Sequence, residues 1–143
     1  MQYNYIIRPE ERVRVNGELV LTNQQVVDAM NFANDALWSL DEQTKAFDIN
    51  IFEAMGMRNL SGIVGEYLGK SLQRFSGGNL HSNLHQDGYP DLLLINNDER
   101  KRYFETLYTE VNGKKYPRDK ALFSPYLYGG VEVKATCGST PPA

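Results

Sequence analysis

The chain has 143 residues, of which 41% are hydrophobic and 11% aromatic, and it carries a formal net charge of −3. This length and composition allow one domain with a sizeable core, so they exclude a disordered chain. No apolar run reaches the length of a membrane span, and the net negative charge by itself argues against a nucleic-acid binder.

The single cysteine and the first residues bear on the cellular compartment. Cys137 has no second cysteine for an internal disulfide, and no cysteine-protease or metal-binding spacing surrounds it. The opening MQYNYIIRPEER lacks the basic and then apolar layout of a signal peptide. We therefore expect a cytoplasmic protein with no membrane partner.

The first 58 residues predict a hairpin followed by two helices. Residues 12–21, RVRVNGELVL, alternate apolar and polar side chains around an Asn-Gly turn. Thr22 can cap a helix that runs to about Leu40 and closes the core with Trp38. Residues 41–58 predict a second helix. Its candidates for burial are Phe47, Ile49, Ile51, Phe52 and Met55.

Residues 59–78, NLSGIVGEYLGKSLQRFSGG, predict an amphipathic helix that ends at a Gly-Gly pair. Three glycines gather opposite its apolar stripe: Gly62, Gly65 and Gly69. Each costs about 1 kcal/mol of helix stability relative to alanine, which indicates a close approach. The first interpretation is packing of another helix or backbone, and the alternative is contact with a ligand. Glu66 borders this strip and, taken alone, would be an ordinary surface glutamate.

Pro90 is predicted to open a strand whose buried body is residues 92–95. Asp91 stands at its mouth, directly before four apolar residues. A carboxylate there loses water on one side and therefore needs a partner. That partner is either the turn at residues 87–88 or a metal ion.

Residues 99–128 combine basic charge with aromatic side chains. They predict a short helix at 99–109 and a turn at Asn112-Gly113. Residues 1–98 carry 7 Lys or Arg against 13 Asp or Glu, whereas residues 99–143 carry 8 against 5. The basic segment is either a solvated loop or a surface that meets phosphates.

The last predicted strand lies in residues 129–138, GGVEVKATCG. Because a strand alternates faces, Val131 and Val133 share one side while Glu132 and Lys134 share the other. The simplest interpretation of the charged pair is a surface salt bridge, which adds little stability.

Three motifs in this order resemble the active-site signature of the PD-(D/E)XK nuclease superfamily. They are GIVGE at 62–66, YPDLLL at 89–94 and GVEVK at 130–134. Within that superfamily the chain is similar to type II restriction endonucleases. The resemblance implies an α/β fold with a restriction-endonuclease-like mixed β-sheet flanked by helices. It also implies a nuclease core over residues 59–143, forming one unit with a hairpin and helical extension over residues 1–58.

The resemblance further implies a Mg²⁺-dependent endonuclease that hydrolyses phosphodiester bonds in double-stranded DNA. Asp91 and Glu132 would bind Mg²⁺, or Mn²⁺ as a substitute, together with the backbone carbonyl of Val133. One or two carboxylates, phosphate oxygens and waters are the ligands that Mg²⁺ takes. Lys134 would lie beside the attacking water and stabilise the charge that develops on the phosphate.

Other polar residues have weaker claims to this site. By the same resemblance, Glu66 would be an accessory catalytic acid that reaches in from its helix, and Gln73 is a weaker candidate. His81 and His85 have no nearby histidine or cysteine to complete a zinc site, so we interpret them as turn or strand residues.

The chain departs from this family after the Glu-x-Lys strand. The family continues with a crossover helix and at least one more strand, whereas only ATCGSTPPA remains here. Those residues are too few for a crossover, so we expect a truncated or partial chain. If the chain is natural, its last strand has an open edge that allows a homodimer.

Three functions stay open from the sequence. The first is the Mg²⁺-dependent endonuclease. The second is a non-catalytic DNA-binding or assembly module that retains a nuclease-like core. The third is a structural or interaction domain in which the acid and the base merely pair.

Overall fold

The computed structural model describes residues 6–137, which form a mixed α/β arrangement with four α-helices. The strands are β1 (Val13–Val15), β2 (Glu18–Leu21), β3 (Leu80–Ser82), β4 (Leu92–Leu94), β5 (Tyr108–Val111), β6 (Lys114–Pro117) and β7 (Gly130–Val131). The helices are α1 (Asn23–Lys45), α2 (Ile51–Ala54), α3 (Met57–Phe75) and α4 (Asp98–Glu105). Within this range, none of the helices has the length and hydrophobicity needed to cross a bilayer.

Every strand pair in the described chain is antiparallel. The strands form a β1–β2 hairpin, a β5–β6 hairpin and a central three-stranded sheet of order β3-β4-β7. Gly138 and the Pro141-Pro142 pair, which were considered in the sequence, lie outside the described residues.

The predicted first hairpin and helix cap are confirmed. Asn16 and Gly17 form the hairpin turn with φ of 51° and 80°, as a tight turn of this hand requires. The Thr22 side chain accepts a hydrogen bond from the Gln25 N–H, and the Gln25 side chain accepts one from the Thr22 N–H. This reciprocal cap fixes the start of α1.

The predicted second helix over residues 41–58 is wrong. No Gly or Pro follows Leu40, so α1 continues to Lys45, and only Ile51–Ala54 forms a separate helix before α3 begins at Met57. Asp48, with φ of 56°, turns the chain between the two helices.

Three of the predicted core residues are exposed instead. Trp38 is 48% exposed, Phe47 79% and Ile49 49%. Trp38 directly follows Leu37 and so lies about 100° around the helix from the buried stripe. Phe47 and Ile49 belong to the turn after α1.

The first core joins both ends of the chain against one face of β4. Its buried residues are Val20, Leu21, Ala29, Leu72, Leu80, Leu92 and Leu94. Helices α1 and α3 contact each other along this core. Val131 and Val133 pack against it, which confirms that these two valines share a face.

A second core covers the other face of β4. Its buried residues are Leu93, Ile95, Leu107, Phe123 and Tyr126. The run of residues 92–95 is therefore buried on both sides, as predicted. The turn at Asn112-Gly113 is also confirmed. The helix predicted over residues 99–109 is confirmed only in part, because α4 ends at Glu105 and Tyr108 begins β5. The strands β3, β5 and β6 were not predicted.

Candidate active site

The register of β4 and β7 places Asp91 directly opposite Glu132. Leu92 pairs with Val131 and Leu93 with Gly130, so the next pair of residues in this antiparallel register is Asp91 and Glu132. The Leu94 N–H donates to the Gly129 carbonyl at 3.0 Å, which makes Asp91 and Glu132 a non-hydrogen-bonded pair. Side chains lie closest together at such pairs. The strand pairing thus brings two carboxyl groups together.

Pro90 and Asp91 together explain why β7 is shorter than predicted. In the same register Val133 would pair with Pro90, which has no N–H for the Val133 carbonyl and whose own carbonyl accepts from the Asn83 Nδ2 atom. The Val133 N–H donates instead to the Asp91 Oδ2 atom at 2.8 Å. Because this hydrogen bond replaces the strand ladder, Asp91 is held against the β7 segment. Among the described residues, the Asp91 carboxylate accepts a hydrogen bond from the backbone of the Glu-x-Lys segment.

Gly130 allows the two strands to approach. A Cβ atom at this position would collide with the carbonyl oxygen of Leu92. Any other residue would therefore push the end of β7 away from β4. The glycine that precedes Val131 keeps the Asp91–Glu132 pair in register.

The proximity of Asp91 raises the pKa of Glu132 to about 7. The largest cause is the side-chain hydrogen bond with Asp91, followed by partial burial and by repulsion from the Asp91 charge. The positive charge of Lys134 acts in the opposite direction. Protonation of Glu132 therefore relieves the repulsion between the two carboxyl groups.

Lys134 is close enough to influence Glu132 without forming an ion pair with it. Among the described residues, ion pairs join Arg12 to Glu10, Lys45 to Asp41 and Arg100 to Glu18, and none joins Lys134 to Glu132. The salt-bridge interpretation of the Glu-x-Lys pair is therefore wrong for this structure. The Lys134 side chain is exposed and lines a cleft.

This cleft has a volume of about 590 Å³ and three walls. The first wall is the middle of α3, from Ser61 to Lys70, including Glu66. The second is the segment from Ser82 to Leu92, including Asp91, and the third is the segment from Val133 to Thr136, including Lys134. Glu132 does not line the cleft, but it lies next to Asp91, which does.

The glycine strip of α3 faces open space in this cleft. A Cβ atom at Gly62 or Gly69 would meet nothing within 4 Å, and one at Gly65 would make ordinary contact with the Ala135 Cβ at 3.8 Å. All three glycines line the cleft. Among the described residues no helix or backbone packs on Gly62 or Gly69, so our first interpretation fails at these two positions, while at Gly65 the segment after β7 does make contact. Contact with a ligand stays open.

The sequence did not single out Lys70, Ser82 and Asn83, which also line the cleft, and it assigned His85, another lining residue, to a turn or strand. The Lys70 Nζ atom donates to the Ser82 Oγ atom at 3.1 Å, so a second lysine stands on the α3 wall. Its only signal in the sequence is its position next to Gly69. His85 lies on the loop wall, where its Nδ1 atom accepts a hydrogen bond from the Asp87 N–H.

Gln73 and His81 are engaged in structural contacts. The Gln73 Oε1 atom accepts from the Ser82 N–H at 3.0 Å and from its hydroxyl at 2.5 Å, which ties α3 to β3. The His81 ring packs 4.9 Å from the Phe104 ring. Across the described residues, no group of three or more His, Cys, Asp or Glu side chains is gathered.

The chain matches no family profile, no curated protein and no solved structure. The likeness to PD-(D/E)XK nucleases therefore rests on the three sequence motifs. The structure adds how those motifs lie relative to one another: the first forms one wall of the cleft, and the other two meet across β4 and β7.

The open space above Gly69 makes a stability prediction. Gly69→Ala should raise the free energy of unfolding by about 0.5–1 kcal/mol, because alanine favours the helix and has room for its methyl group. Gly130→Ala is the matched control and should lower it, because its Cβ would collide with Leu92. Urea unfolding measures both. A loss of stability in Gly69→Ala would show that another segment packs on the strip.

The raised pKa of Glu132 predicts how stability depends on pH. The folded-state pKa of Glu132 lies above its ordinary value of 4.5, so the folded protein binds more protons than the unfolded one between pH 4.5 and about 7. The stabilisation is fully present below this window and is lost as the pH rises through it. Carboxyl NMR titration should give a Glu132 pKa near 7 in the metal-free protein and a value nearer 4.5 in Asp91→Asn. Equal values in both proteins would contradict the contact.

Proposed function

We propose that this chain is a Mg²⁺-dependent endonuclease that hydrolyses phosphodiester bonds in double-stranded DNA. The observation that carries the proposal is the meeting of Asp91 and Glu132 across β4 and β7, with Lys134 two residues further along. A restriction-endonuclease-like fold and a cytoplasmic location belong to the same proposal.

The residues present fit a divalent cation. Two neighbouring carboxyl groups repel each other when both are ionised, and a cation between them would remove that repulsion. Mg²⁺ needs only one or two carboxylates because phosphates and waters complete its shell. Asp91 and Glu132 would hold it, with Mn²⁺ as a substitute and the Val133 carbonyl as a further ligand. Such a cation neutralises the phosphate and lowers the pKa of a coordinated water.

The chain itself positions the reacting groups. The Val133 N–H orients the Asp91 carboxylate, so this side chain is fixed before substrate arrives. The exposed ammonium of Lys134 stands in the same cleft, where it stabilises negative charge on a phosphate oxygen. Glu66 lies on the α3 wall as an accessory acid, and the open space above Gly62 and Gly69 lets a nucleic-acid backbone come close.

The order of elements supports the nuclease-like fold. Helix α3 carries Glu66 and leads into β3, and Asp91 directly precedes β4. Glu132 directly follows Val131 at the end of β7, and Lys134 lies two residues further along. In the central sheet β7 is an edge strand within the described residues. That open edge supports a homodimer as part of the proposal.

Cleavage of supercoiled plasmid DNA tests this proposal. With Mg²⁺ present, Asp91→Asn and Lys134→Ala should each reduce the rate of cleavage by about a hundredfold or more, because the first weakens binding of the cation and the second removes a positive charge aimed at the reacting phosphate. Glu42→Gln, which neutralises an exposed carboxylate on α1, is the matched control and should cut at the wild-type rate.

Two results would reject the nuclease. The first is cleavage that survives both substitutions, since the activity would then come from elsewhere. The second is DNA binding by the wild type without hydrolysis under any Mg²⁺ or Mn²⁺ concentration, which would favour the non-catalytic DNA-binding module.

A further inference from the structure

The β5–β6 hairpin packs against the core at its base and is exposed to solvent along the rest of its length. We call residues 108–117 the ribbon. Tyr108 is half-buried, whereas every other residue of its two strands is exposed. The Tyr108 ring packs 5.2 Å from Phe104 and 6.5 Å from Phe123, which fixes the base to the second core. A two-stranded hairpin with both faces in water is only marginally stable, so the tip of the ribbon adds little to the stability of the fold.

The register of the ribbon separates its two faces. Thr109 pairs with Tyr116 and Val111 with Lys114, so these four residues share one face, which we call the ribbon face. Tyr108, Glu110, Lys115 and Pro117 share the other. Because Tyr108 turns towards the core, the ribbon face is the outward one. It carries no acid.

The chemistry of the ribbon face combines a cation with exposed apolar groups. The Lys114 Nζ atom lies 5.5 Å from the centre of the Tyr116 ring. Val111 is 51% exposed and Tyr116 46%. An apolar partner alone would leave the ammonium without a counter-charge, so the surface fits a partner that offers both anions and flat or methyl-bearing groups.

The surrounding charge has the same sign. Residues 108–120 carry four basic side chains, Lys114, Lys115, Arg118 and Lys120, against two acidic ones, although the whole chain has a net charge of −3. Arg118 donates to the Thr106 carbonyl at the base of the ribbon, which leaves the two adjacent lysines at the start of β6 as the cations of the tip. A second copy meeting this face symmetrically would bring like charges together.

We propose that the ribbon enters the major groove of duplex DNA. This groove admits a two-stranded β-ribbon. Lys114 and Lys115 contact phosphates on its rim, while Thr109, Val111 and Tyr116 lie against base edges and thymine methyl groups. The inference rests on the proposed function in one respect, since both take duplex DNA as the substrate, but the ribbon residues are separate from those of the cleft.

The test is a titration of a short fluorescent DNA duplex with the full chain in EDTA, where no hydrolysis occurs. Lys114→Ala/Lys115→Ala should weaken binding by roughly tenfold per lysine in about 0.1 M salt, and reduce the salt slope by about 0.9 per lysine, because each releases one counterion fewer. Lys114→Arg/Lys115→Arg should retain binding. Arg12→Ala/Lys45→Ala removes the same charge from other surfaces and should bind nearly as the wild type does.

A second arm tests the groove. An RNA duplex of the same length has a deep, narrow major groove that a ribbon cannot enter. The wild type should therefore prefer DNA, and Val111→Ser/Tyr116→Ser should reduce that preference while leaving the salt slope unchanged. These positions are exposed, so melting temperatures should stay close to the wild-type value.

Three outcomes would overturn the inference: wild-type affinity in the double-alanine variant, equal binding of DNA and RNA duplexes by the wild type, or a change in oligomeric state as the only effect of the ribbon substitutions. Failure of the proposed function looks different. If the wild type binds DNA through the ribbon and never cleaves it, the nuclease is rejected and the ribbon stands. If it cleaves DNA and the ribbon variants bind normally, the ribbon is rejected alone.

Discussion

The register between β4 and β7 is the constraint on which the rest of the site depends. It places Asp91 opposite Glu132 at a non-hydrogen-bonded pair, where side chains come closest. A shift of β7 by one residue would turn Glu132 to the other face and separate it from Asp91. The cost of holding two acids together appears as the raised pKa of Glu132, which is about 7. The proposed function depends on the same repulsion, because a bound cation would relieve it.

The packing around β4 is what makes this register rigid. Leu92 and Leu94 are buried in one core and Leu93 and Ile95 in the other, so the strand cannot slide without exposing apolar surface on both sides. Gly130 admits the close approach of β7, and the Asp91 carboxylate accepts the Val133 N–H in place of the Pro90 carbonyl, its ladder partner in this register. Stability and site geometry are therefore set by the same few residues.

The sequence predicted those parts of the fold that depend on local patterns. The Asn-Gly turn, the Thr22 cap and the apolar run after Asp91 each act over a few residues, and the structure confirms them. The spacing of Glu132 and Lys134 also predicted the common face of the two valines. Long-range contacts were beyond this reasoning. The exposure of Trp38, by contrast, follows from its position about 100° around α1 from Leu37.

The same limit applied to the site. Asp91 and Glu132 were paired through a resemblance, and only the strand order of the central sheet shows them as neighbours. The glycine strip was assigned to packing, because the empty space above Gly62 and Gly69 is a property of the whole cleft. For the same reason, Lys70 and His85 could not be assigned to the site from the sequence, because separate segments of the folded chain bring them to the cleft.

The most direct test is anomalous diffraction from crystals grown with Mn²⁺. The account predicts a peak bonded to carboxylate oxygens of both Asp91 and Glu132, whereas a peak elsewhere, or none at saturating Mn²⁺, would contradict it.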